Sequence, residues 1–512
     1  MSLKKLFSAC VSILLIVCLT CLQAAALTAP KVDPDAQSCP YIFVHGFMAV
    51  PLYKNLHTPQ QDVIWPPAKA DVLSAAKECA PAVFRYLVDA NWDRLSDSVL
   101  PKFRTIFQDV FLDPDGTPRE GTGVDFVWPD ASSITPSSRL KFQYDWRLDP
   151  IEIAAQLEAF IDYVCAASGC TQVTLMAHSC GGVIVTTYAK LYGVGKLRGV
   201  VLNSTAVLGE TYTGEMMCGN FNVGDEALKA YFTFLGYGSE YEDLIFSVTN
   251  TLMRQGILSK VSGMFDAIFE HMLDRISTEL IMPMFGSWVT IWAMTPDEYL
   301  DGAYAYILDK VAVATGQDYS GLRRKVDRFN EQIRPYRLET VQAMADNGHF
   351  GVFSRYGFVS IPLSPTWDKL SDGVIDVANT SFGATASAYN QTLDEAYLAN
   401  VDEQYVSPDK TVDASTCMFP DRTWFIRNMK HGKPIVNLDD LVFDILYADE
   451  TVTVDTYEDY PRFLMMDYVT NRVEEDAPVK QSLIDRLFPW AKNVFGTIHD
   501  LIRFLFRVVF KR

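Results

Sequence analysis

A hydroxyl opens an ester by acyl transfer when a base takes its proton, an acid orients that base, and backbone N–H groups receive the developing negative charge. The stretch from Gln172 to Ile184 (QVTLMAHSCGGVI) is suited to display such a hydroxyl. Val173 to Met176 reads as a buried strand, Ser179 stands at a sharp break, and the residues from Val183 onward (VIVTTYAKLYG) read as a helix packing back on that strand. This is the pattern of a nucleophile elbow, in which the outgoing helix crosses close to the incoming strand. The residues two before and two after the serine must then be small. Ala177 and Gly181 meet that need; glycine is usual at both positions, and alanine is the next smallest side chain. Without partners the same residues would describe an ordinary strand-to-helix turn with a capping serine.

The partners follow from chain order. A triad on such a sheet runs Ser, Asp, His along the chain. The run Gly357-Phe358-Val359-Ser360-Ile361 reads as a strand, and Asp368, Asp372 and Asp376 follow it as candidate acids. Of seven histidines, His45, His57, His178, His271 and His349 precede them, which leaves His431 and His499. His431 lies in Met429-Lys430-His431-Gly432, after the apolar run Trp424-Phe425-Ile426, where a loop past a strand would present a base. His349 is the fallback and would break the order. For the oxyanion, Tyr41 to Val44 reads as a buried strand ending in His45-Gly46-Phe47. The backbone N–H groups of Phe47 and Cys180 are assigned to the hole, Cys180 also standing at a helix N-terminus, where the dipole favours an anion.

These residues need a scaffold. Leu140 to Pro150 reads as a strand running into a helix with Ile153, Leu157, Phe160, Ile161 and Val164 on one face; the elbow strand follows, then its helix, then a strand from Leu197 to Leu202. That alternation predicts an α/β fold with a mostly parallel central sheet flanked by helices. Asp145 and Arg147 read as a structural ion pair or hydrogen-bonded corner. Residues 27–205 form the first part of the core, with a Pro-rich, aromatic insertion over about 48–135 that reads either as an irregular lid or as a covering layer. Residues 206–345 are helical and Met-rich, with helices expected over Leu244 to Met253, Val261 to Met272 and the Tyr299 to Val313 region. Residues 346–446 complete the core, 447–481 are acidic and polar, and 482–512 pattern as a basic amphipathic helix that either lies on an anionic membrane or docks on the body.

Tyr144-Asp145-Trp146-Arg147-Leu148-Asp149-Pro150, a helix, and the serine elbow about thirty residues later together resemble the lecithin:cholesterol acyltransferase and lysosomal phospholipase A2 family of α/β-hydrolases. His45-Gly46-Phe47, the stretch from Gly286 to Pro296 (GSWVTIWAMTP), and Asp372-Gly373 with Val377 five residues beyond the Asp extend the resemblance in patches over roughly residues 40–435. Ala177, Cys180 and Asn203-Ser204-Thr205 depart from the family's usual residues. The resemblance implies an α/β-hydrolase fold, a helical cap over 206–345 walling a lipid trough above Ser179, and Asp372 as the acid, with Asp376 its competitor. It also implies a lipid ester as substrate, hydrolysed or transferred to a lipid hydroxyl.

Composition narrows the classes further. With 44 Lys+Arg against 63 Asp+Glu the formal charge is −19, which gives no basic footprint for nucleic acid. The histidines are scattered singly and no spacing suits zinc, so neither metal nor cofactor is expected. Lys4, Lys5, the apolar run from Leu6 to Leu22 and Gln23-Ala24-Ala25-Ala26 pattern as a signal peptide over 1–26, or as an uncleaved anchor. The expected location is secreted or extracytoplasmic, with membrane or lipoprotein contact through lid, cap and tail. Cys39 with Cys79 and Cys165 with Cys170 are candidate disulfides in that setting, and Cys180 a buried unpaired thiol. A catalytically silent lipid-binding protein on the same fold is the alternative function.

Overall fold

The computed structural model describes residues 38–476 other than 240 and 436. The predicted signal at 1–26 and tail at 482–512 lie outside the described residues. Eight strands form the central sheet: β1 (Tyr41–Val44), β2 (Arg139–Phe142), β3 (Val173–His178), β4 (Leu197–Asn203), β5 (His349–Tyr356), β6 (Thr423–Arg427), β7 (Phe463–Asp467) and β8 (Arg472–Glu475). Their order across the sheet is β8-β7-β6-β5-β4-β3-β1-β2, parallel throughout except for β8, which returns antiparallel on β7. Strands buried on both faces need unbroken apolar runs, and β1 (YIFV) and β3 (VTLMAH) are buried at every position.

Period-two alternation divides these strands between two cores. Ile42, Val44, Leu175, Ala177, Leu202 and Val352 face one side. Tyr41, Phe43, Met176, Val201 and Phe353 face the other. Eleven helices are numbered in chain order: α1 (Lys69–Asp89), α2 (Trp92–Phe107), α3 (Pro150–Ser168), α4 (Gly181–Tyr192), α5 (Thr211–Met217), α6 (Asp225–Gly236), α7 (Glu242–Arg254), α8 (Ile257–Ile276), α9 (Ser320–Gln332), α10 (Arg337–Asp346) and α11 (Asp439–Tyr447). The first core takes α3, α4 and α10; the second takes α11. Helix α3 shows why the chain turns helical where it does. Asp149 accepts the Ile151 N–H at 2.9 Å, Pro150 occupies the first turn, and Gly169 closes the helix at φ 74°.

Several expectations need correction. The stretch 48–135 is not irregular: α1 and α2 run for 21 and 16 residues, each with an internal proline. Leu95 and Leu100 pack with Met272 of α8, and Arg275 pairs with Asp97 at 2.7 Å, so these helices cover the insertion that follows β4. The strand placed at 357–361 ends one residue before it begins, because Gly357 turns to φ 107° and a Cβ there would meet the Asn428 backbone N at 2.9 Å. The sheet also runs past residue 446: Phe463, Leu464 and Met466 are buried on β7 within the segment read as acidic and polar. Cys79, Cys165, Cys170, Cys180, Cys218 and Cys417 are free thiols, so neither predicted disulfide is formed, and Cys180 is buried as expected. No helix among the described residues is long and apolar enough to cross a membrane.

Candidate active site

Ser179 follows the last residue of β3 at φ 57°, a left-handed conformation that costs a non-glycine residue energy and persists only where its surroundings impose it. The surroundings are close. A Cβ on Gly181 would stand 2.4 Å from the Val44 carbonyl oxygen and 2.7 Å from that of His45, so α4 crosses directly over the end of β1. A Cβ on Gly46 would meet Ser179 Cβ at 2.7 Å. The Ser179 N–H donates to the Asn203 carbonyl at 3.2 Å, and the Ser179 carbonyl accepts from Gly182 and Ala206 at 3.0 and 3.1 Å. Smallness at 181 is therefore a demand of backbone packing, and Ala177 fits because it is wholly buried between Val44 and Leu202 in adjacent strands.

Phe47 and Cys180 flank the serine from β1 and α4. Among the described residues neither backbone N–H has an acceptor, and Gly182 and Val183 supply the first bonds of α4. Burial pushes the Cys180 thiol up to about 12, so it is no competing nucleophile. The Tyr-Asp-Trp-Arg corner fixes the Phe47 loop. Tyr144 Oη donates to the His45 carbonyl at 2.7 Å and its ring stacks on His45 at 4.2 Å, while Trp146 Nε1 donates to Val50 O at 3.1 Å. Asp145 and Arg147 form the predicted ion pair, with Nη2 to Oδ2 at 2.6 Å, and Arg147 Nη1 reaches Val110 O at 3.1 Å. Phe47 packs edge-on to Trp146 at 4.9 Å, and Trp288 stands 5.8 Å from Phe47 and 5.3 Å from Trp146. This aromatic cluster thus draws on three segments far apart in the chain.

Asp372 and His431 meet across 59 residues: His431 Nδ1 lies 2.6 Å from Asp372 Oδ2, and the His431 N–H donates to the Asp372 carbonyl at 2.9 Å. Asp372 is fully buried, and its Oδ1 accepts from the Val374 and Ile375 N–H groups at 3.0 and 2.8 Å, which locks the carboxylate toward the imidazole. The other nitrogen of His431 is not engaged by Asp372. Its ring lies 4.7 Å from the ring of His178, the residue before Ser179. His178 Nδ1 sits 3.0 Å from the Asn203 carbonyl, and burial holds His178 well below the usual histidine range, so it stays neutral beside the base.

The competitors stand elsewhere. Asp376 accepts from the Thr211 hydroxyl, and burial raises its carboxyl to about 6. Nearby Glu210 caps α5 through the Tyr212 and Thr213 N–H groups at 2.7 and 2.6 Å, and burial raises it to about 8. His349 opens β5 opposite Gly199, near the starting end of the sheet, whereas Ser179 and His431 follow the carboxyl ends of β3 and β6. His271 is half exposed and stacks on Trp92 at 4.9 Å. Helix α6 of the insertion closes over the acid and base loops. The Phe234 ring fills the space a Cβ on Gly373 would need, and Lys430 Nζ donates to the Tyr237 carbonyl at 2.9 Å. Among the described residues no group of three or more His, Cys, Asp or Glu could hold a metal ion.

Sequence reading passed over Asn203 and Arg355. Arg355 carried a signal, a lone charge inside the apolar run Phe350 to Phe358; Asn203 stood only as a departure from the resembled family's usual residues. In a scan of protein families, residues 41–360 match the model described as "Alpha/beta hydrolase family". No curated protein matches the chain. A solved structure titled "The crystal structure of Tle4-Tli4 complex" is similar at 14% identity and a TM-score of 0.21, over 36% of this chain and 48% of that one. The chain thus spans about half the length of the solved chain it matches, and so slight a likeness carries no argument.

Proposed function

Since the chain belongs to the alpha/beta hydrolase family, we propose that it is a serine-dependent lipid esterase or acyltransferase acting through an acyl-enzyme. The observation that carries this reading is the 2.6 Å contact of His431 Nδ1 with Asp372 Oδ2 on loops beside the Ser179 turn. In the mechanism, Ser179 Oγ attacks the ester carbonyl while His431 Nε2 takes its proton. Asp372 holds the Nδ1–H tautomer and stabilises the imidazolium. The N–H groups of Phe47 and Cys180 receive the oxyanion. As the tetrahedral intermediate collapses, His431 returns the proton to the departing alcohol and an acyl-Ser179 ester remains. A second hydroxyl, from water or a lipid alcohol, then attacks the acyl carbon as it gives its proton to His431, and His431 returns that proton to Ser179 Oγ as the acyl–serine bond breaks. Water makes the protein a lipase or phospholipase; a lipid alcohol makes it an acyltransferase.

The lipid substrate rests on two supports: the resemblance to the lecithin:cholesterol acyltransferase family, and the part-buried Phe47 ring, which follows Gly46 where that residue packs on Ser179. Export, and contact with a membrane or lipoprotein surface, belong to the same proposal. Incubation with a fluorophosphonate ester followed by mass mapping tests the reading. Ser179 should be labelled, and labelling should vanish in Ser179→Ala and fall sharply in His431→Ala. A folded wild-type protein that stays unlabelled, even with detergent or vesicles present, would overturn it.

A further inference from the structure

The serine and the histidine stand on turns that follow separate strands, and two buried side chains outside the proposed triad join them. Arg355 lies on β5 with no exposed surface. Its Nη1 donates to three carbonyls of the base loop, Lys430 at 3.0 Å, His431 at 2.9 Å and Lys433 at 2.7 Å. Its Nε donates to Asn203 Oδ1 at 3.1 Å. The backbone carbonyl of Asn203 in turn lies 3.2 Å from the Ser179 N–H and 3.0 Å from His178 Nδ1. One chain of hydrogen bonds therefore runs from the nucleophile's own backbone, through Asn203 and a guanidinium, to the base's own backbone.

Packing alone does not call for this arginine. Burying a guanidinium costs several kcal/mol on the order-of-magnitude scale for ions in protein interiors, and an aliphatic side chain would fill the same volume without that cost. No carboxylate among the described residues forms an ion pair with it, and burial lowers it to about 10. Among the described residues Arg355 Nη2 is also buried without an acceptor, a further penalty that a merely space-filling residue would not carry. What the side chain offers is a planar fork that can hold several carbonyls of one loop at fixed spacing while a second edge is anchored elsewhere. An ammonium, a point charge on a flexible stem, cannot do both.

We propose that Arg355, held by Asn203, is a positioning residue for acyl transfer, fixing the His431 loop in register with the Ser179 elbow. The inference rests on the serine-dependent reading given above. It makes the base loop a part of the elbow's hydrogen-bond frame rather than an independent loop, so a change at residue 355 moves the imidazole without touching the substrate.

The test uses Arg355→Lys, Asn203→Ala and, as a control, Arg462→Lys. Arg462 is also buried and also donates to carbonyls, those of Pro420 at 3.2 Å and Gln404 at 2.9 Å, away from the site. Each protein is followed by thermal unfolding, by kcat and KM on a soluble short-chain nitrophenyl ester, and by the downfield proton resonance of the His431–Asp372 hydrogen bond. Misplacement of about 1 Å costs roughly 100-fold, so Arg355→Lys should lower kcat about 30- to 100-fold with KM within about twofold. The downfield resonance should shift or broaden. Asn203→Ala should act in the same direction more weakly and serves if Arg355→Lys does not fold. Arg462→Lys should lower Tm while leaving kcat and the resonance unchanged. A folded Arg355→Lys with wild-type kcat and an unmoved resonance overturns the proposal, as does a kcat loss no greater than that of Arg462→Lys at equal Tm. If the wild type turns over no ester, the serine reading fails; the resonance needs no substrate and still decides whether Arg355 positions His431.

Discussion

Ser179 stands on a turn defined within a dozen residues and one crossing strand, whereas Asp372 and His431 are brought together by segments spread from residue 203 to residue 433. The two halves of the site are held by different forces. The Ser179 half is a steric device: Gly46 and Gly181 let three backbones approach to distances no Cβ would allow, and Ser179 stands among them at φ 57°. The Asp372 and His431 half is a polar device, in which a buried carboxylate and a buried guanidinium hold loop backbone in place and the Lys430 side chain ties the loop to the Tyr237 carbonyl at the end of α6. Damage to the first should appear as lost folding, and damage to the second as lost chemistry in a folded protein.

The strongest way to break the comparison is Asp372→Asn. Asparagine can still accept the Val374 and Ile375 N–H groups, so the loop should persist while the imidazole loses the partner that sets its tautomer. We expect kcat to fall roughly 10,000-fold, with thermal unfolding within a few degrees of wild type. A loss below tenfold would remove Asp372 from the role of orienting acid. On the other side, Gly181→Ala drives a methyl into the Val44 and His45 carbonyls, which are backbone atoms of the sheet and cannot swing aside. It should cost on the order of 4 kcal/mol, read from the shift of the urea midpoint. A midpoint within 1 kcal/mol of wild type would mean that the crossing of α4 and β1 is less tight than described.

The halves should also differ in the sign of their pH dependence. Burial pushes His45 down to about 4, so the native state refuses a proton that the unfolded chain accepts. Its contribution is complete above pH ~6.5 and is lost as pH falls toward 4, up to about 3 kcal/mol. Asp376 has the opposite sign. With its folded value raised to about 6, the native state holds a proton that the unfolded chain releases, and stability is lost as pH rises from about 4 through 6. Urea midpoints measured from pH 4 to pH 8 should therefore fall less steeply toward acid in His45→Asn than in wild type, and less steeply toward neutral pH in Asp376→Asn. Parallel curves for wild type and either variant would show that the site in question does not carry the effect.

The elbow was legible because its information is local. A β-rich apolar run, a serine, two small residues and an apolar helix stand in consecutive order, and steric necessity ties each to the next. The α/β sheet was legible from the alternation of strand and helix patterns over residues 140–202, and the order Ser, Asp, His narrowed the partner residues to a few. Helices α1 and α2 were missed because Pro81 and Pro101 interrupt a helical pattern already weakened by exposed apolar residues such as Leu73 and Val88. Strands β7 and β8 lie in a segment read as surface strands or loops, and their place in the central sheet was not legible because the edge strand β8 keeps its charged residues exposed.

What the sequence by itself determined was the sharp turn at Ser179, the type of sheet beneath it, and a short list of acids and bases. Only the tertiary structure decided which of them touch. Asp372 and Asp376 lie four residues apart in one loop, and which of them meets His431 depends on backbone N–H groups at 374 and 375, on Thr211 from the insertion, and on Arg355 from a neighbouring strand. Those contacts have no signature in the spacing of residues along the chain, because they are made by parts of the molecule that meet only once the sheet has formed.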